Sequence, residues 1–190
     1  MKELTQFWLD RPHDAQKMWD SYRDPHRQQL LVALSLLGYV DTLHELGCGS
    51  GPNLRLVREV FPKIQLFGSE PNAELREFAE RNFLVTASQL PDVDVSSCDV
   101  VLSMYTLAYV KDAKVVLEKL WDNANRLLVL IEPMAGIDPF EKPGLYQGHA
   151  MPSYVHDYVG LAETIGWRVL WRWPIIPHHQ GLNCVLILSR

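Results

Sequence analysis

The chain has 190 residues, a formal net charge of -5 and 47% apolar residues, which favours one folded domain and excludes a disordered chain. The acidic balance, without any run of Lys and Arg, argues against nucleic-acid binding, and no apolar stretch is long enough to span a membrane. Cys48, Cys98 and Cys184 are too few and too widely spaced for a disulfide or zinc framework. We therefore expect free thiols in a cytoplasmic protein.

The first forty residues predict two helices, "HDAQKMWDSYR" and "PHRQQLLVALSLLG", and the second begins after Asp24 and ends at Gly38. Strands and helices then alternate. The predicted strands are "TLHEL", "IQLFGSE", "FLVTA", "DVVLSMYTL" and "RLLVLIE", and the helices between them are "PNLRLVREVF", "PNAELREFAERN" and "KDAKVVLEKLWDN". This alternation predicts a mostly parallel sheet with helices on both faces.

The last third of the chain begins with an irregular segment rich in Pro and Gly, residues 133–152, whose length is typical of a functional loop. The segment "SYVHDYVGLAETIG" then predicts a helix, "WRVLWRWPII" a strand, "PHHQG" a tight turn and "LNCVLILS" a final strand. The tight turn makes the final strand antiparallel. The predicted fold class is α/β, a Rossmann-like doubly wound sheet that is mostly parallel with an antiparallel last strand.

The turn after the first strand, "HELGCGSG", indicates the kind of ligand. Its glycines, Gly47, Gly49 and Gly51, have neither the G-x-G-x-x-G spacing of nicotinamide-dinucleotide sites nor the G-K-[ST] of a P-loop. Glu45 would repel a pyrophosphate but attract an ammonium group. Glu70 ends the second strand, where an acid can accept both hydroxyls of a ribose. The pattern indicates a phosphate-free ligand with a ribose and a positive amino group.

The segments "HELGCGSG", "FGSEPN" and "SSCDVVLSMYTLAYV" resemble the first, second and fourth strand motifs of class I S-adenosylmethionine-dependent methyltransferases. The resemblance extends over about residues 43–132. It implies S-adenosylmethionine as cofactor and a small-molecule type of enzyme, either monomeric or homodimeric. On this basis we expect one domain with an N-terminal helical cap (1–40), a cofactor-binding half (41–132) and an acceptor-binding half (133–190).

The resemblance also implies which residues bind the cofactor, in three groups. Those near the methionine and ribose would be Glu45, Gly47, Cys48, Gly49, Gly51 and Asn53, with Glu70 on the ribose hydroxyls. Those near the adenine would be Pro71, Asn72, Ser88 and Leu90, and those near the methionyl end would be Ser103 and Met104. The family often has an acid after the third strand, where this chain has "VTASQL". Ser88, Gln89 or backbone groups would then bind the adenine amine.

Histidines in the late segments are the candidates for catalysis, because the carboxyl ends of the parallel strands bring these segments to the cofactor face. Histidine titrates near neutral pH and suits proton removal from a nucleophile. We expect His156, His178 and His179 to be catalytic, together with Tyr109 after the fourth strand. We expect no metal, because the adjacent pair His178 and His179 lacks the spacing of a ligand motif.

These features predict transfer of a methyl group to an O or N nucleophile of a small molecule, such as a metabolite, sugar or natural product. The segment "SMYTL" lacks the N/D-P-P-Y/F motif of adenine amino-methylating enzymes, and there is no Pro-Cys nucleophile for cytosine. We therefore expect neither a nucleic-acid nor a membrane partner. Three alternatives stay open: a non-catalytic S-adenosylmethionine-binding or regulatory protein of this fold, a nucleic-acid methyltransferase, and a nicotinamide-dependent oxidoreductase.

Overall fold

A computed structural model describes residues 4–92, 95, 98–122, 126–136, 142–146, 152–174 and 183–190. Its α-helices are α1 (Leu4–Asp10), α2 (Ala15–Asp20), α3 (Gln28–Ser35), α4 (Pro52–Val60), α5 (Ala73–Ala79), α6 (Ala113–Asp122) and α7 (Tyr158–Ile165). Its strands are β1 (Thr42–Leu46), β2 (Gln65–Ser69), β3 (Leu84–Thr86), β4 (Val100–Met104), β5 (Leu127–Pro133), β6 (Gly144–Tyr146), β7 (Ser153–Val155), β8 (Arg168–Pro174) and β9 (Asn183–Ser189). Single 3₁₀ turns lie at Ser21–Arg23, Pro25–Arg27 and Leu107–Tyr109.

The main sheet has the strand order β3-β2-β1-β4-β5-β9-β8. The first five of these strands are parallel. Strand β9 is antiparallel both to β5 and to β8, so β8 runs in the same direction as β5. The carboxyl ends of β1, β2, β4, β5 and β8 therefore lie at one edge of the sheet. This arrangement confirms the predicted doubly wound fold with an antiparallel last strand.

Strand β5 shows how the sheet joins two hydrophobic cores. All seven of its residues are buried, as expected for a strand covered on both faces. Its alternate residues Leu128 and Leu130 pack in the core that contains residues of α6 and α7. Val129 and Ile131 pack in the other core, with residues of α3 and α4. Helices therefore cover both faces of the sheet.

Local capping signals place the helices that surround this edge. Pro52 occupies the first turn of α4, directly after the glycine turn. The side chain of Asn72 accepts a hydrogen bond from the Leu75 backbone N–H at 3.1 Å and caps α5. Both helices therefore begin at the carboxyl ends of their preceding strands, β1 and β2.

The region around residue 155 differs from the prediction of one helix beginning at Ser153. The structure has strand β7 there, paired with β6, and helix α7 begins only at Tyr158. Asp157 explains the later start, because its side chain accepts a hydrogen bond from the Gly160 N–H at 3.0 Å and caps α7. Helix α1 was also not predicted, and the predicted turn "PHHQG" lies outside the described residues.

Two further features of the described residues bear on the sequence-based expectations. None of the helices that the structure describes has the length and apolar character needed to cross a membrane. Cys48, Cys98 and Cys184 are buried, and none of the three forms a disulfide within the described residues.

Candidate functional site

A cavity of about 410 Å³ lies at the carboxyl ends of β1, β2 and β4. Its walls come from the glycine turn, from the segment after β2, from residues 88–90, from the turn after β4 and from the N-terminal helices. This edge of a doubly wound sheet is where ligands bind, and the volume falls in the range of small-molecule sites.

Gly47 lets the turn after β1 lie close to the turn after β4. Gly47 has a φ of +60°, and a Cβ placed on it would lie 2.6 Å from Oγ1 of Thr106. Thr106 cannot easily yield, because its hydroxyl donates a hydrogen bond to the Leu46 carbonyl at 2.9 Å. Because glycine has no side chain, the turn after β1 and the turn after β4 can share one wall of the cavity.

Glu70 follows β2 and is held by backbone donors. One of its oxygens accepts from the Gly49 N–H at 2.9 Å, and the other accepts from the Asn72 N–H at 2.8 Å. Burial raises the pKa of Glu70, and these two hydrogen bonds oppose that effect. A carboxylate has about four acceptor positions, so each oxygen keeps capacity for a ligand hydroxyl.

Glu45 is 1% exposed, in β1 beneath the glycine turn. One oxygen accepts a hydrogen bond from the Asn53 amide at 2.5 Å, whereas Oε2 has no partner among the described residues. Burial raises the pKa of Glu45 to about 8, although Asn53 and Arg27 both oppose this shift. An unpaired buried carboxylate oxygen is costly, and a ligand cation in the cavity would satisfy it.

Arg27 continues this polar chain and was not predicted from the sequence. Its guanidinium donates to Oδ1 of Asn53 at 2.6 Å, and also to the backbone oxygen and the hydroxyl of Ser21 at 3.1 Å each. Burial lowers the pKa of Arg27, while Glu45 raises it. The cavity thus has a carboxylate and a guanidinium near each other, which suits a ligand that carries both charges.

The turn after β4 forms the opposite wall and depends on Glu132 at the end of β5. This carboxylate is fully buried and accepts hydrogen bonds from the Ser103 hydroxyl at 2.7 Å and from three consecutive backbone N–H groups. Those donors are Thr106 at 2.9 Å, Leu107 at 3.0 Å and Ala108 at 3.2 Å. Burial raises the pKa of Glu132 to about 7. The carboxylate fixes the backbone that carries the cavity-lining Tyr105 and Tyr109.

The N-terminal helices cover the cavity. The ring of Trp8 meets Tyr109 edge-on at 5.0 Å and stacks on His13, also at 5.0 Å. The Leu9 carbonyl accepts from the Asn72 amide at 3.4 Å. In α2, the sulfur of Met18 accepts from the Ser50 N–H at 3.5 Å. The covering segment therefore contacts the glycine turn, the segment after β2 and the turn after β4.

Most of the predicted cofactor-binding residues line this cavity: Glu45, Gly47, Cys48, Gly49, Asn53, Glu70, Pro71, Asn72, Ser88, Leu90 and Met104. Two do not. Gly51 is the N-cap of α4, and a Cβ there would lie 3.1 Å from Phe83 and 3.5 Å from Trp19, neither of which lines the cavity. Ser103 is fully buried, and its hydroxyl donates to Glu132. Ser103 thus supports the wall from behind.

Of the four predicted catalytic residues, the structure describes two, Tyr109 and His156. Tyr109 lines the cavity, whereas His178 and His179 lie outside the described residues. His156 is absent from the lining, and its Nε2–H donates to the Val110 carbonyl at 2.9 Å. Burial lowers the pKa of His156. His156 therefore lies outside the cavity lining, its contact attaches the segment after β7 to the cavity rim at Val110, and its catalytic role stays a prediction.

Several lining residues were missed because they come from the first helices. They are Trp8, Leu9, His13, Met18, Asp24, His26 and Arg27. No local motif marks them, and their role depends on how the N-terminal segment folds across the sheet edge. The one available signal was the pairing of Asp24 with Pro25, which predicted a helix start close to His26 and Arg27.

Comparisons with known proteins agree with this geometry. Residues 44–128 match a family model described as a methyltransferase domain, and a search of curated proteins found no match. The fold resembles magnesium protoporphyrin IX methyltransferase from Synechocystis, with a TM-score of 0.67 at 12% identity, over 98% of this chain and 91% of that one. It also resembles a putative methyltransferase from Haloferax volcanii, solved in complex with the Trm112 activator. That TM-score is 0.70 at 18% identity, over 99% and 96% of the two chains.

A third similar structure is the O-methyltransferase of a polyketide synthase multienzyme from Brevibacillus brevis, in complex with S-adenosyl-L-homocysteine. Its TM-score is 0.64 at 11% identity, over 87% of this chain and 71% of that one. At such identities the likeness concerns the fold. The family match, in contrast, covers the part of the chain that forms the glycine turn, Glu70 and β4. Residues 44–128 therefore match a methyltransferase domain, and the fold of the chain is that of S-adenosylmethionine-dependent methyltransferases.

Proposed function

We propose that the protein transfers a methyl group from S-adenosylmethionine to an O or N nucleophile of a small molecule. The observation that carries this proposal is the pair of acids in one cavity. Glu45 has a buried oxygen without a partner among the described residues, and Glu70 keeps acceptor capacity on both oxygens. These acids suit the ammonium and the ribose hydroxyls of one cationic, phosphate-free ligand.

Each part of the cofactor has a candidate partner among the residues that line the cavity. Glu45 would pair with its ammonium group, and Arg27 would pair with its carboxylate. Glu70 would accept from both ribose hydroxyls, and the backbone at Gly47 and Gly49 would pass close to the ligand. The adenine would lie among Pro71, Asn72, Ser88, Gln89 and Leu90, all of which line the cavity. When bound, S-adenosylmethionine supplies a methyl group on a positively charged sulfur, open to in-line displacement.

The chain's own residues have three tasks in such a reaction. The acids and Arg27 orient the donor, the aromatic wall of Trp8, Tyr105 and Tyr109 holds the acceptor, and the N-terminal helices exclude water. Orientation alone lowers the barrier substantially, because it removes the entropy cost of bringing two molecules together. Tyr109, at the wall and in contact with Trp8, is a positioning candidate.

A small-molecule acceptor is supported by the size of the cavity and by the charge of the protein. A cavity of about 410 Å³ suits a metabolite, and a net charge of -5 gives no attraction to nucleic acids. Structural relatives that act on small molecules include the magnesium protoporphyrin IX and geranyl diphosphate methyltransferases. Their acceptors differ so widely that the fold does not select one.

A single-turnover experiment tests this function. The protein, loaded with S-adenosylmethionine carrying a labelled methyl group, is mixed separately with a small-metabolite extract, with total RNA and with DNA. We expect S-adenosylhomocysteine and label in the metabolite fraction alone. Label in RNA or DNA would contradict the small-molecule acceptor. Tight cofactor binding without any product would instead indicate the non-catalytic binding protein.

We also propose that the protein is one domain, acts in the cytoplasm and is monomeric or homodimeric. Buried cysteines outside any disulfide, here Cys48, Cys98 and Cys184, are typical of a reducing compartment. Size-exclusion chromatography with light scattering measures the oligomeric state. A stable mass above that of a dimer would contradict the proposal.

A further inference from the structure

His26 is a cavity-lining histidine that neither the family motifs nor the late segments contain. It lies in the 3₁₀ turn Pro25–Arg27, is partly buried, and its ring centroid is 6.0 Å from that of Tyr105 at an interplanar angle of 71°. Tyr105 directly follows β4 and has a φ of +56°, a conformation that is uncommon for a residue with a side chain. The two rings thus meet where the N-terminal cover approaches the turn after β4.

The backbone around His26 is held in place from both sides. Arg27, its neighbour, is anchored to Ser21 and to Asn53, and Asn53 is in turn bonded to Glu45. On the other side Pro25 begins the turn, and the Asp24 carbonyl accepts from the Arg27 N–H at 2.9 Å. An imidazole on such a fixed turn is pre-organised to act on a bound molecule. It also lies beside the residues proposed to hold the amino-acid part of the donor.

The wall that His26 faces is aromatic and apolar. Trp8, Tyr105 and Tyr109 line the same cavity, together with Leu90 and Val110. Flat aromatic molecules suit such a wall because ring stacking adds to apolar burial. An aromatic hydroxyl is protonated at neutral pH and becomes a good nucleophile once its proton is removed.

We propose that the acceptor is a planar aromatic hydroxyl compound and that His26 accepts its proton; this inference rests on the proposed methyl transfer. An oxygen lone pair of the acceptor forms the bond to the methyl carbon while the carbon–sulfur bond breaks, and that bond's electron pair stays on sulfur. The hydroxyl proton passes to an imidazole nitrogen of His26 and then to solvent. The positively charged sulfonium of the donor becomes a neutral thioether, and one proton is released, so the charge is balanced.

His13, the other histidine lining the described cavity, is placed differently. Its Nε2 contacts the Trp8 carbonyl at 2.9 Å, and its ring stacks on the Trp8 indole. It also lies near enough to Glu70 to lower the pKa of that acid. His13 therefore belongs to the covering segment beside the ribose acid, whereas His26 faces Tyr105.

The test uses two acceptors that differ in whether they need a base: phenol, which stays protonated at mildly alkaline pH, and 4-nitrophenol, which is already ionised there. For His26→Gln, we expect kcat/KM for phenol to fall by about 100-fold or more. The value for 4-nitrophenol should stay within about threefold. Glu118→Gln, at an exposed residue of α6 outside the lining, is the control and should keep both activities. Calorimetric binding of S-adenosylmethionine, and of 4-nitrophenol to the S-adenosylhomocysteine complex, should be the same in both variants.

Each other outcome has a distinct meaning. Equal losses with both phenols would overturn the role of His26 as proton acceptor. If the wild-type protein binds the cofactor and methylates neither phenol, the aromatic hydroxyl class is wrong while the proposed methyl transfer stands. Failure of the wild-type protein to bind S-adenosylmethionine would overturn the proposed function itself.

Discussion

At the residue scale, three buried carboxylates differ in how many donors already surround them. Glu132 accepts four hydrogen bonds and is structural. Glu70 accepts two backbone bonds, and Glu45 accepts one and keeps one oxygen unpaired within the described structure. Burial of a charge is costly unless it is paired, so the two incompletely satisfied acids, both in the cavity wall, are the ones suited to a ligand.

Gly47 gives a prediction at the same scale. In Gly47→Ala, the new Cβ meets the side chain of Thr106, which is held by the Leu46 carbonyl. Gly38→Ala is the matched control, because Gly38 also has a positive φ, +72°, and among the described residues beyond its chain neighbours no atom lies within 4 Å of the added Cβ. We expect Gly47→Ala to lower the free energy of unfolding by about 2 kcal/mol more than Gly38→Ala, from overpacking. Equal losses in urea denaturation would contradict this steric account.

At the element scale, the turn after β4 is attached to the sheet by a residue of the next strand. Glu132 at the end of β5 bonds to three successive N–H groups of the 3₁₀ turn. The cavity wall formed by Tyr105 and Tyr109 therefore depends on a side chain far from it in sequence. The carboxylate fixes the wall without contacting the cavity itself.

The pKa of Glu132, raised to about 7 from an ordinary 4.5, predicts a pH dependence of stability. Because the folded state holds this proton more tightly, its contribution is complete below about pH 4.5 and is lost as pH rises through 7. The loss is on the order of 3 kcal/mol. We expect Glu132→Gln to flatten the fall in unfolding free energy between pH 5 and pH 8, measured by urea denaturation. Glu118→Gln, at an exposed residue of α6, should keep the wild-type slope, and parallel slopes for both variants would contradict the assignment.

At the scale of the whole molecule, the sheet supplies one side of the site and the N-terminal helices supply its cover. Trp8, Leu9 and Met18 contact three separate walls of the cavity. We expect a ligand that contacts both the cover and the sheet to stabilise both, because binding stabilises the folded arrangement that forms the site.

Hydrogen–deuterium exchange measures this coupling. S-adenosylmethionine at 100 times its Kd should slow exchange in residues 4–27 by up to about 100-fold. Helix α6, which contributes no residue to the cavity lining, serves as the internal reference, and we expect its exchange to change much less. A uniform change along the chain, or none in residues 4–27, would contradict the role of the cover.

The sequence predicted the parts of this molecule that depend on local patterns. Strand β5 is an unbroken apolar run, and Glu45 and Glu70 lie at fixed spacings from the glycine turn, so each could be found from neighbouring residues. Strands β6 and β7 have three residues each, too few for a periodicity. His26 and Arg27 reach the cavity only through contacts distant in sequence, such as that of Arg27 with Asn53, and no local pattern records those contacts.

Calorimetric titration with S-adenosylmethionine tests the central claim, that the cavity between Glu45 and Glu70 is the cofactor site. Glu70→Gln removes the charge that we propose accepts the ribose hydroxyls, whereas Glu74→Gln removes an exposed acid in the first turn of α5. We expect Glu70→Gln to weaken binding at least tenfold, about 1.4 kcal/mol, and Glu74→Gln to bind like the wild-type protein. Equal affinity for all three proteins, or no binding by the wild-type protein, would contradict the account.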